Sequence, residues 1–194
     1  MENQNKAYVT IFLIIVNVAV FACMSLVGNT ENTDFLYTHG GFYLPSIYNK
    51  GEYYRIFTHM FVHSGYRHLL NNMIMLAAVG FTLEERMGHI RYTIVYFIGG
   101  LGASALSCAY EIAHNSYAVS IGASGAIMAV FAALVMATIK ERKNSGDRAV
   151  RRLLFVLAIM VAGNIAPDVN WVAHLGGAIT GIVLGALLYK KDNC

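Results

Sequence analysis

Six apolar runs, each separated from the next by polar or charged residues, divide the chain. They cover residues 8–27, 68–83, 90–110, 121–139, 153–165 and 171–189. A bilayer core about 30 Å thick needs roughly 20 apolar residues per helix, so each run is a candidate transmembrane helix. The run at 153–165 is the shortest of the six. The pattern predicts an all-α polytopic membrane protein, a six-helix bundle forming one domain over residues 1–194.

The composition agrees with a membrane protein. Of the 194 residues, 57% are hydrophobic and 13% are charged, whereas soluble domains contain about 25% charged residues. The net charge is only +3, and no basic patch with interleaved aromatic residues is present, so we expect no nucleic-acid partner. The three cysteines, Cys23, Cys108 and Cys194, show neither metal-ligand spacing nor a disulfide framework. We therefore expect the chain to contact membrane lipids and to bind no metal ion.

Lys and Arg residues indicate orientation, because they accumulate in cytoplasmic loops. They precede the first run, lie between the second and third and between the fourth and fifth, and follow the sixth. Both termini are therefore predicted to be cytoplasmic. The loop at 28–67 is predicted to be external, although it holds Lys50, Arg55 and Arg67. Its length predicts packing against the bundle or into the membrane surface. Lys6 precedes the first run as in a signal peptide, but the run is long and no small-residue cleavage site follows.

Polar residues inside predicted spans are costly and therefore indicate function. Three of them, Ser124, His174 and His68, each lie 16 residues before a charged residue at the cytoplasmic end of a span. At 1.5 Å per residue this places all three about 24 Å above that boundary, towards the outer face. Asn72 follows His68 by four residues and therefore shares its helix face.

Small residues predict that spans 4 and 6 pack closely. Gly177 and Gly181 lie on the face of His174, and on span 4 Ala129 and Ala132 continue the face of Gly122 and Gly125. Small residues allow two membrane helices to approach each other. Packing through these faces would bring Ser124 and His174 within hydrogen-bond distance.

The predicted chemistry is nucleophilic catalysis, with Ser124 as nucleophile and His174 as base. His68, Asn72 and backbone N–H groups at the start of span 4, that of Gly122 among them, are candidate donors to an oxyanion. Asp168 lies six residues before His174, but a dyad without a carboxylate is the simpler interpretation. A single serine or histidine in a membrane helix is usually a packing residue. The common depth and the small-residue faces favour catalysis.

These residues resemble the motifs of the rhomboid family of intramembrane serine proteases. "GASGA" is similar to the nucleophile motif around Ser124, and "AHLGGAITG" to the H-x-x-G-x-x-x-G motif that begins at His174. "HLLNN" is similar to the H-x-x-x-N motif, here His68 and Asn72. The resemblance extends from about residue 52 to residue 185. It implies a six-helix bundle that cleaves membrane proteins in or near their transmembrane helices through a Ser–His dyad, without metal or other cofactor. It also implies a site that opens to the extracytoplasmic side, and we expect a bacterial inner membrane.

Further family motifs are matched less closely. "EERMG" resembles the E-x-x-x-G motif, which implies that Glu84 and Gly88 organise the turn between spans 2 and 3. Tyr54 replaces the tryptophan that many members carry before Arg55, which we expect to be structural or lipid-facing. Met128 replaces an aromatic residue that packs on the catalytic histidine, and slower turnover is expected. His59 and His63 are expected to brace the first loop.

Two other functions are compatible with buried histidines. A proton-relaying transporter requires acids along a continuous intramembrane path, but Glu84, Glu85 and Glu111 all lie near span ends. A non-catalytic rhomboid-like protein that only binds membrane helices is the main alternative. Loss of the serine or the histidine would indicate it, and both are present. The sequence therefore favours a serine endopeptidase.

Overall fold

The computed structural model describes residues 6–142, 147–162 and 170–190. Within these ranges the chain is helical, and one isolated bridge joins Phe42 to Ser120. Five of the described helices are long, and a sixth is shorter. In chain order the helices are α1 (Tyr8–Val27), α2 (Thr33–Thr38), α3 (Leu44–Lys50), α4 (Arg55–Thr58), a 3₁₀ turn (His59–Phe61), α5 (Gly65–Met87), α6 (His89–His114), α7 (Ser124–Arg142), α8 (Arg148–Ala162) and α9 (Trp171–Leu188).

Each predicted span overlaps one of the helices, but several ends differ from the hydrophobic runs. Helix α5 ends at Met87, before Gly88 with its positive φ of 79°, and α6 ends at His114, before Asn115, which adopts the left-handed conformation. Helix α7 starts three residues later than predicted, because Gly122 has a φ of 103° that no helix accommodates. Helix α8 starts five residues earlier, at Arg148. The predicted end of the fifth span, Ile165, lies outside the described residues.

Four described helices are long and apolar enough to cross a membrane, namely α1, α6, α7 and α9. Helix α5 has sufficient length but is more polar, with His68, Asn72 and Glu84 along it. Helix α8 has 15 residues, about 22 Å of helix, which is short for a bilayer core. The chain is thus a polytopic helical membrane protein.

Helix α7 lies at the centre of the bundle. Most of its side chains are buried, and it packs against α5, α6, α8 and α9. Its contact with α9 is made by small residues in two facing rows. A Cβ added to Gly177 would lie 2.1 Å from Gly125 O, one added to Gly181 would lie 2.2 Å from Ala129 O, and one added to Gly185 would lie 2.8 Å from Ala133 Cα. The predicted close approach of these helices is confirmed, but the row on α7 is Gly125, Ala129 and Ala133, so it continues at Ala133 and not at the predicted Ala132.

Glu84, near the C-terminal end of α5, connects α5 to α1 and α6. Its carboxylate is fully buried and accepts hydrogen bonds from the N–H groups of Val9 and Thr10 and from Thr10 Oγ1, at 2.7–2.8 Å. His89 Nδ1 lies 2.6 Å from the same carboxylate. A negative charge satisfies the free N–H groups at the start of α1 and is favoured there by the helix dipole. Glu84 therefore joins α1 to the α5–α6 turn, beyond the predicted role in that turn alone.

The loop at 28–67 packs against the bundle, the first of the two predicted arrangements, since its 3₁₀ turn contacts α1 and α7 and its helix α4 contacts α6. Arg55 is buried and donates to Gly41 O at 2.8 Å and to Tyr37 O, while its guanidinium lies 4.4 Å from the Tyr37 ring centre. A salt bridge of 2.6 Å joins it to Glu52. Arg55 is therefore structural, and the lipid-facing alternative is wrong because the backbone carbonyls of the loop surround its charge. Tyr54, in contrast, is half exposed.

Candidate active site

Ser124 is the first residue of α7, directly after the tight turn at Gly122. The helix begins with a hydrogen bond from Ile127 N–H to Ala123 O of 2.9 Å. The N–H groups before this bond, those of residues 124–126, have no intrahelical acceptor. Ser124 is half-buried, whereas the residues on either side of it are buried. The hydroxyl therefore occupies the only partly accessible position in the first turn of a largely buried helix.

His174 lies in the first turn of α9 and faces Ser124. Its Nε2 is 2.8 Å from Ser124 Oγ, a normal hydrogen-bond distance. The ring is buried, and its Nδ1 has no hydrogen-bond partner among the described residues. Asp168, the candidate orienting carboxylate, lies outside the described residues. The described part of the site is thus a serine–histidine pair.

Close helix packing explains why two residues 50 positions apart in sequence meet. Gly177, one turn after His174, contacts the backbone of Gly125, the residue after Ser124. Met128 is buried in the same interface, and its Cβ lies 3.3 Å from the position that a Cβ of Gly177 would take. No larger side chain fits between the two helices at this level. The distance between Ser124 and His174 is therefore set by backbone contact, which is stiffer than contact between side chains.

Asn170 fixes the start of α9, a role that was not predicted from the sequence. Its Oδ1 accepts a hydrogen bond of 3.0 Å from Ala173 N–H and so caps the helix. Its Nδ2 donates to Ser107 Oγ at 2.6 Å and to Ser120 Oγ at 2.8 Å. One side chain thus connects α9 to α6 and to the segment that leads into Ser124. An asparagine directly before an apolar helix is a recognisable N-cap signal, but its two donated bonds depend on tertiary structure.

His68 and Asn72 lie beside the turn that precedes Ser124. A Cβ added to Gly122 would lie 2.9 Å from His68 Nε2 and 3.7 Å from Asn72 Nδ2. Ser64 N–H donates to His68 Nδ1 at 3.4 Å, so the neutral ring carries its hydrogen on Nε2, the atom that faces Gly122. Asn72 Nδ2 donates one hydrogen to His68 O at 3.1 Å and has a second hydrogen to donate. Two side-chain donors therefore face the Gly122 turn, two residues before Ser124.

The backbone N–H of Gly122 was predicted to be an oxyanion donor, and the structure shows a different partner for it. This N–H donates to His59 O at 2.9 Å, so this group is already paired. The bond holds the Gly122 turn against the first loop. The turn fits only glycine, because of its positive φ and because a side chain would collide with His68.

His59 and His63 brace the first loop, as predicted. His59 contacts Arg55 O through Nδ1 at 2.9 Å and Ser104 Oγ through Nε2 at 3.1 Å, which joins the loop to α6. His63 Nδ1 donates to Phe61 O at 3.2 Å, and its ring centre lies 5.2 Å from that of His68. Burial lowers the pKa of His59 to about 4 and that of His63 to about 3, so both rings are neutral at physiological pH.

The described residues contain no group of three His, Cys, Asp or Glu side chains placed to hold a metal ion. The site contains a hydroxyl that is hydrogen-bonded to an imidazole, with two side chains nearby that can donate hydrogen bonds. Such a set is suited to acyl transfer, in which a base activates the hydroxyl and donors stabilise negative charge on oxygen.

Comparison with known proteins identifies the family. Residues 50–191 match the rhomboid domain. The chain is 34% identical to RHOMBOID-like protein 1 of Arabidopsis thaliana, over 75% of this chain and 37% of that protein. It is 27% identical to Rhomboid protease AarA of Providencia stuartii, over 90% of this chain and 70% of that protein. It is also 27% identical to Rhomboid protease GluP of Bacillus subtilis, over 95% of this chain and 36% of that protein.

The alignments cover 37% to 52% of the length of the six Arabidopsis relatives. They nevertheless include 73% to 87% of this chain. The rhomboid-domain match runs from the first loop to α9. The resemblance inferred from the motifs is therefore confirmed, and the chain belongs to the rhomboid family of polytopic membrane proteins, which includes intramembrane proteases.

Proposed function

We propose that this chain is an intramembrane serine endopeptidase that hydrolyses peptide bonds in or near the transmembrane helices of membrane-protein substrates. The observation that carries the proposal is the 2.8 Å contact between Ser124 Oγ and His174 Nε2. Catalytic hydroxyls need a base within this distance to remove their proton. The bacterial relatives AarA and GluP, which are named rhomboid proteases, add support.

In the proposed reaction, Ser124 Oγ attacks the carbonyl carbon of the scissile peptide bond while His174 Nε2 takes its proton. The neutral ring must then carry its hydrogen on Nδ1, an atom that has no hydrogen-bond partner among the described residues. The protonated ring next donates to the leaving amine, and a water molecule hydrolyses the acyl-enzyme by the same steps in reverse. The pair acts as a dyad and uses no cofactor.

The negative charge on the carbonyl oxygen needs donors that are in place before the reaction. We assign this role to His68 Nε2–H and the unpaired hydrogen of Asn72 Nδ2, which both face the Gly122 turn. The backbone N–H of Ser124, at the first position of α7, is the third candidate. It replaces the N–H of Gly122, which is bonded to His59 O.

We propose six membrane spans, with α5 and α8 crossing in addition to the four apolar helices, and both termini in the cytoplasm. The positively charged residues at the ends of α5, α7 and α9 support this orientation. Ser124 then lies towards the extracytoplasmic face, where water reaches it. A bacterial plasma membrane is the proposed location, supported by the two bacterial relatives, although one relative is a mitochondrial plant protein.

The proposal is tested with a fluorophosphonate probe, which reacts only with activated serines, on the detergent-solubilised protein. The wild type is expected to label, whereas Ser124→Ala and His174→Ala are not. Ser116→Ala and His114→Ala, which change the same residue types at exposed positions, are expected to label as the wild type does.

Two results would reject the proposal. Labelling that persists in Ser124→Ala would show another nucleophile. A folded wild type that neither labels nor cleaves any reconstituted membrane substrate would favour the alternative, a non-catalytic protein that binds membrane helices.

A further inference from the structure

A cavity of about 470 Å³ opens between α5, α7 and α8 at the end of the bundle opposite the serine–histidine pair. Thr138, which lines it, is 14 residues after Ser124 on α7, about 21 Å along the helix. None of Ser124, His174, His68 and Asn72 lines the cavity, so it is separate from the candidate active site. It is formed where the ends of α5 and α7 meet the start of α8, and none of the proposed chemistry uses it.

Three arginines line the mouth of this cavity, one from each helix: Arg86, Arg142 and Arg152. Arg86 donates to Glu141 at 3.1 Å and to Thr138 Oγ1 at 3.2 Å, and Arg142 donates to Asp147 at 3.1 Å. Arg152 is exposed and has no hydrogen bond or ion pair with any described residue.

No acidic side chain is among the described residues that line the cavity. Its mouth therefore carries positive charge that the acids beyond the rim only partly balance. A guanidinium presents several donors in a planar fork that matches the oxygens of a phosphate.

The inner wall of the cavity is apolar. Val79 on α5, Phe131 on α7 and Leu153 on α8 contribute to it. On α5 the lining extends from Met75 to Arg86, about 16 Å of helix from apolar to charged residues. Helix α8 also exposes Phe155 and Ile159, at 67% and 51%, which follow Arg152 by three and seven residues and therefore share its helix face. The cavity thus continues into a surface suited to lipid.

We propose that this cavity binds the phosphate headgroup of an anionic phospholipid, with the arginines around the phosphate and the first part of an acyl chain against the apolar wall. The ligand chemistry is that of a phosphate anion, and two sources supply it, a lipid or a soluble phosphate. The apolar wall and the position within a membrane bundle favour the lipid. Basic pockets between transmembrane helices are typical sites for anionic lipids. The proposal does not depend on protease activity.

The test uses the purified chain of residues 1–194 in detergent micelles that contain phosphatidylglycerol or, in parallel, phosphatidylcholine with the same acyl chains. Native mass spectrometry measures how tightly each lipid is retained, and thermal unfolding measures the stabilisation. Phosphatidylglycerol is expected to bind more tightly and to raise the melting temperature. Arg152→Gln is expected to weaken its retention at least about five-fold, the effect of one basic residue near a lipid headgroup.

Arg151→Gln is the matched control, because it removes the same charge from the neighbouring exposed position, which does not line the cavity. It is expected to retain the lipid as the wild type does. Equal losses in both variants would overturn the proposal, since they would show general attraction to a charged surface. Competition by millimolar glycerol phosphate would overturn the assignment to a lipid in favour of a soluble phosphate. Equal melting temperatures of the variants in phosphatidylcholine show that both remain folded.

Discussion

Replacing Gly177 by alanine perturbs the geometry of the serine–histidine pair without touching either residue. The added Cβ would lie 2.1 Å from Gly125 O, and ordinary contact begins near 3.4 Å. Helix α9 must therefore move away from α7 by roughly 1.3 Å at this level. The obstructing atom belongs to the backbone, so no side-chain rotation removes the collision.

The displacement acts directly on the Ser124–His174 hydrogen bond. A separation of 2.8 Å that lengthens by about an ångström exceeds normal hydrogen-bond distance. A misplacement of about 1 Å lowers catalytic rates by about 100-fold. Overpacking of a buried interface costs about 1–3 kcal/mol of stability. We therefore expect Gly177→Ala to remain folded in mild detergent and to label with fluorophosphonate about 100-fold more slowly than the wild type.

The assay compares labelling rates and thermal unfolding of three α9 variants. Gly185→Ala creates a milder collision, 2.8 Å from Ala133 Cα, two turns further from the pair, and should reduce labelling much less than it reduces stability. Ile179→Ala changes a half-exposed residue and should alter neither. A Gly177→Ala protein that labels within three-fold of the wild type would refute the argument that backbone contact sets the distance.

Three further predictions concern stability. Asn170→Asp retains the cap of α9 but loses both donated bonds, which should cost about 1–3 kcal/mol and slow labelling. Glu84→Gln should cost about 1.5–3 kcal/mol in denaturant unfolding with labelling unchanged, because the buried carboxylate accepts bonds that an amide cannot all accept. Burial holds the pKa of His59 at about 4 when folded, against 6.5 in an unfolded chain. The unfolded chain therefore binds more protons, and stability should fall as the pH falls from about 6.5 to 4.

Each of these predictions has a matched control. Asn115→Asp makes the same change at an exposed helix end, and a loss of stability equal to that of Asn170→Asp would contradict a specific role. Glu85→Gln makes the same change at the exposed position next to Glu84 and should leave unfolding unchanged. His59→Asn should flatten the acid dependence, whereas the exposed His114→Asn should retain it; equal profiles would show that His59 does not contribute.

The pattern of apolar runs predicted the helices because a membrane helix must satisfy its own backbone groups and present apolar side chains to lipid. Depth within a helix follows directly from residue number, so Ser124, His174 and His68 were assigned a common level without a structure. Helix ends were less predictable. The start of α7 depends on the conformation of Gly122, which in turn depends on a bond to the first loop.

Contacts between segments that are distant in sequence could not be predicted from the sequence. The burial of Arg55 among the carbonyls of the first loop is one example, and the two bonds that Asn170 donates to Ser107 and Ser120 are another. The pairing of Gly122 N–H with His59 O is a third, and it removed a predicted oxyanion donor. Each depends on how loops fold over helix ends, where no periodic pattern constrains the chain.

The sequence by itself determined the helical membrane class, the family and the set of polar residues at one depth, because hydrophobic length and residue spacing act locally along each helix. Only the tertiary structure decided that Ser124 Oγ and His174 Nε2 lie 2.8 Å apart. Depth defines one coordinate of a residue in a bundle, while rotation and separation of helices follow from packing. At the serine–histidine pair, backbone contact between Gly177 and Gly125 determines how α7 and α9 are rotated and how far apart they lie.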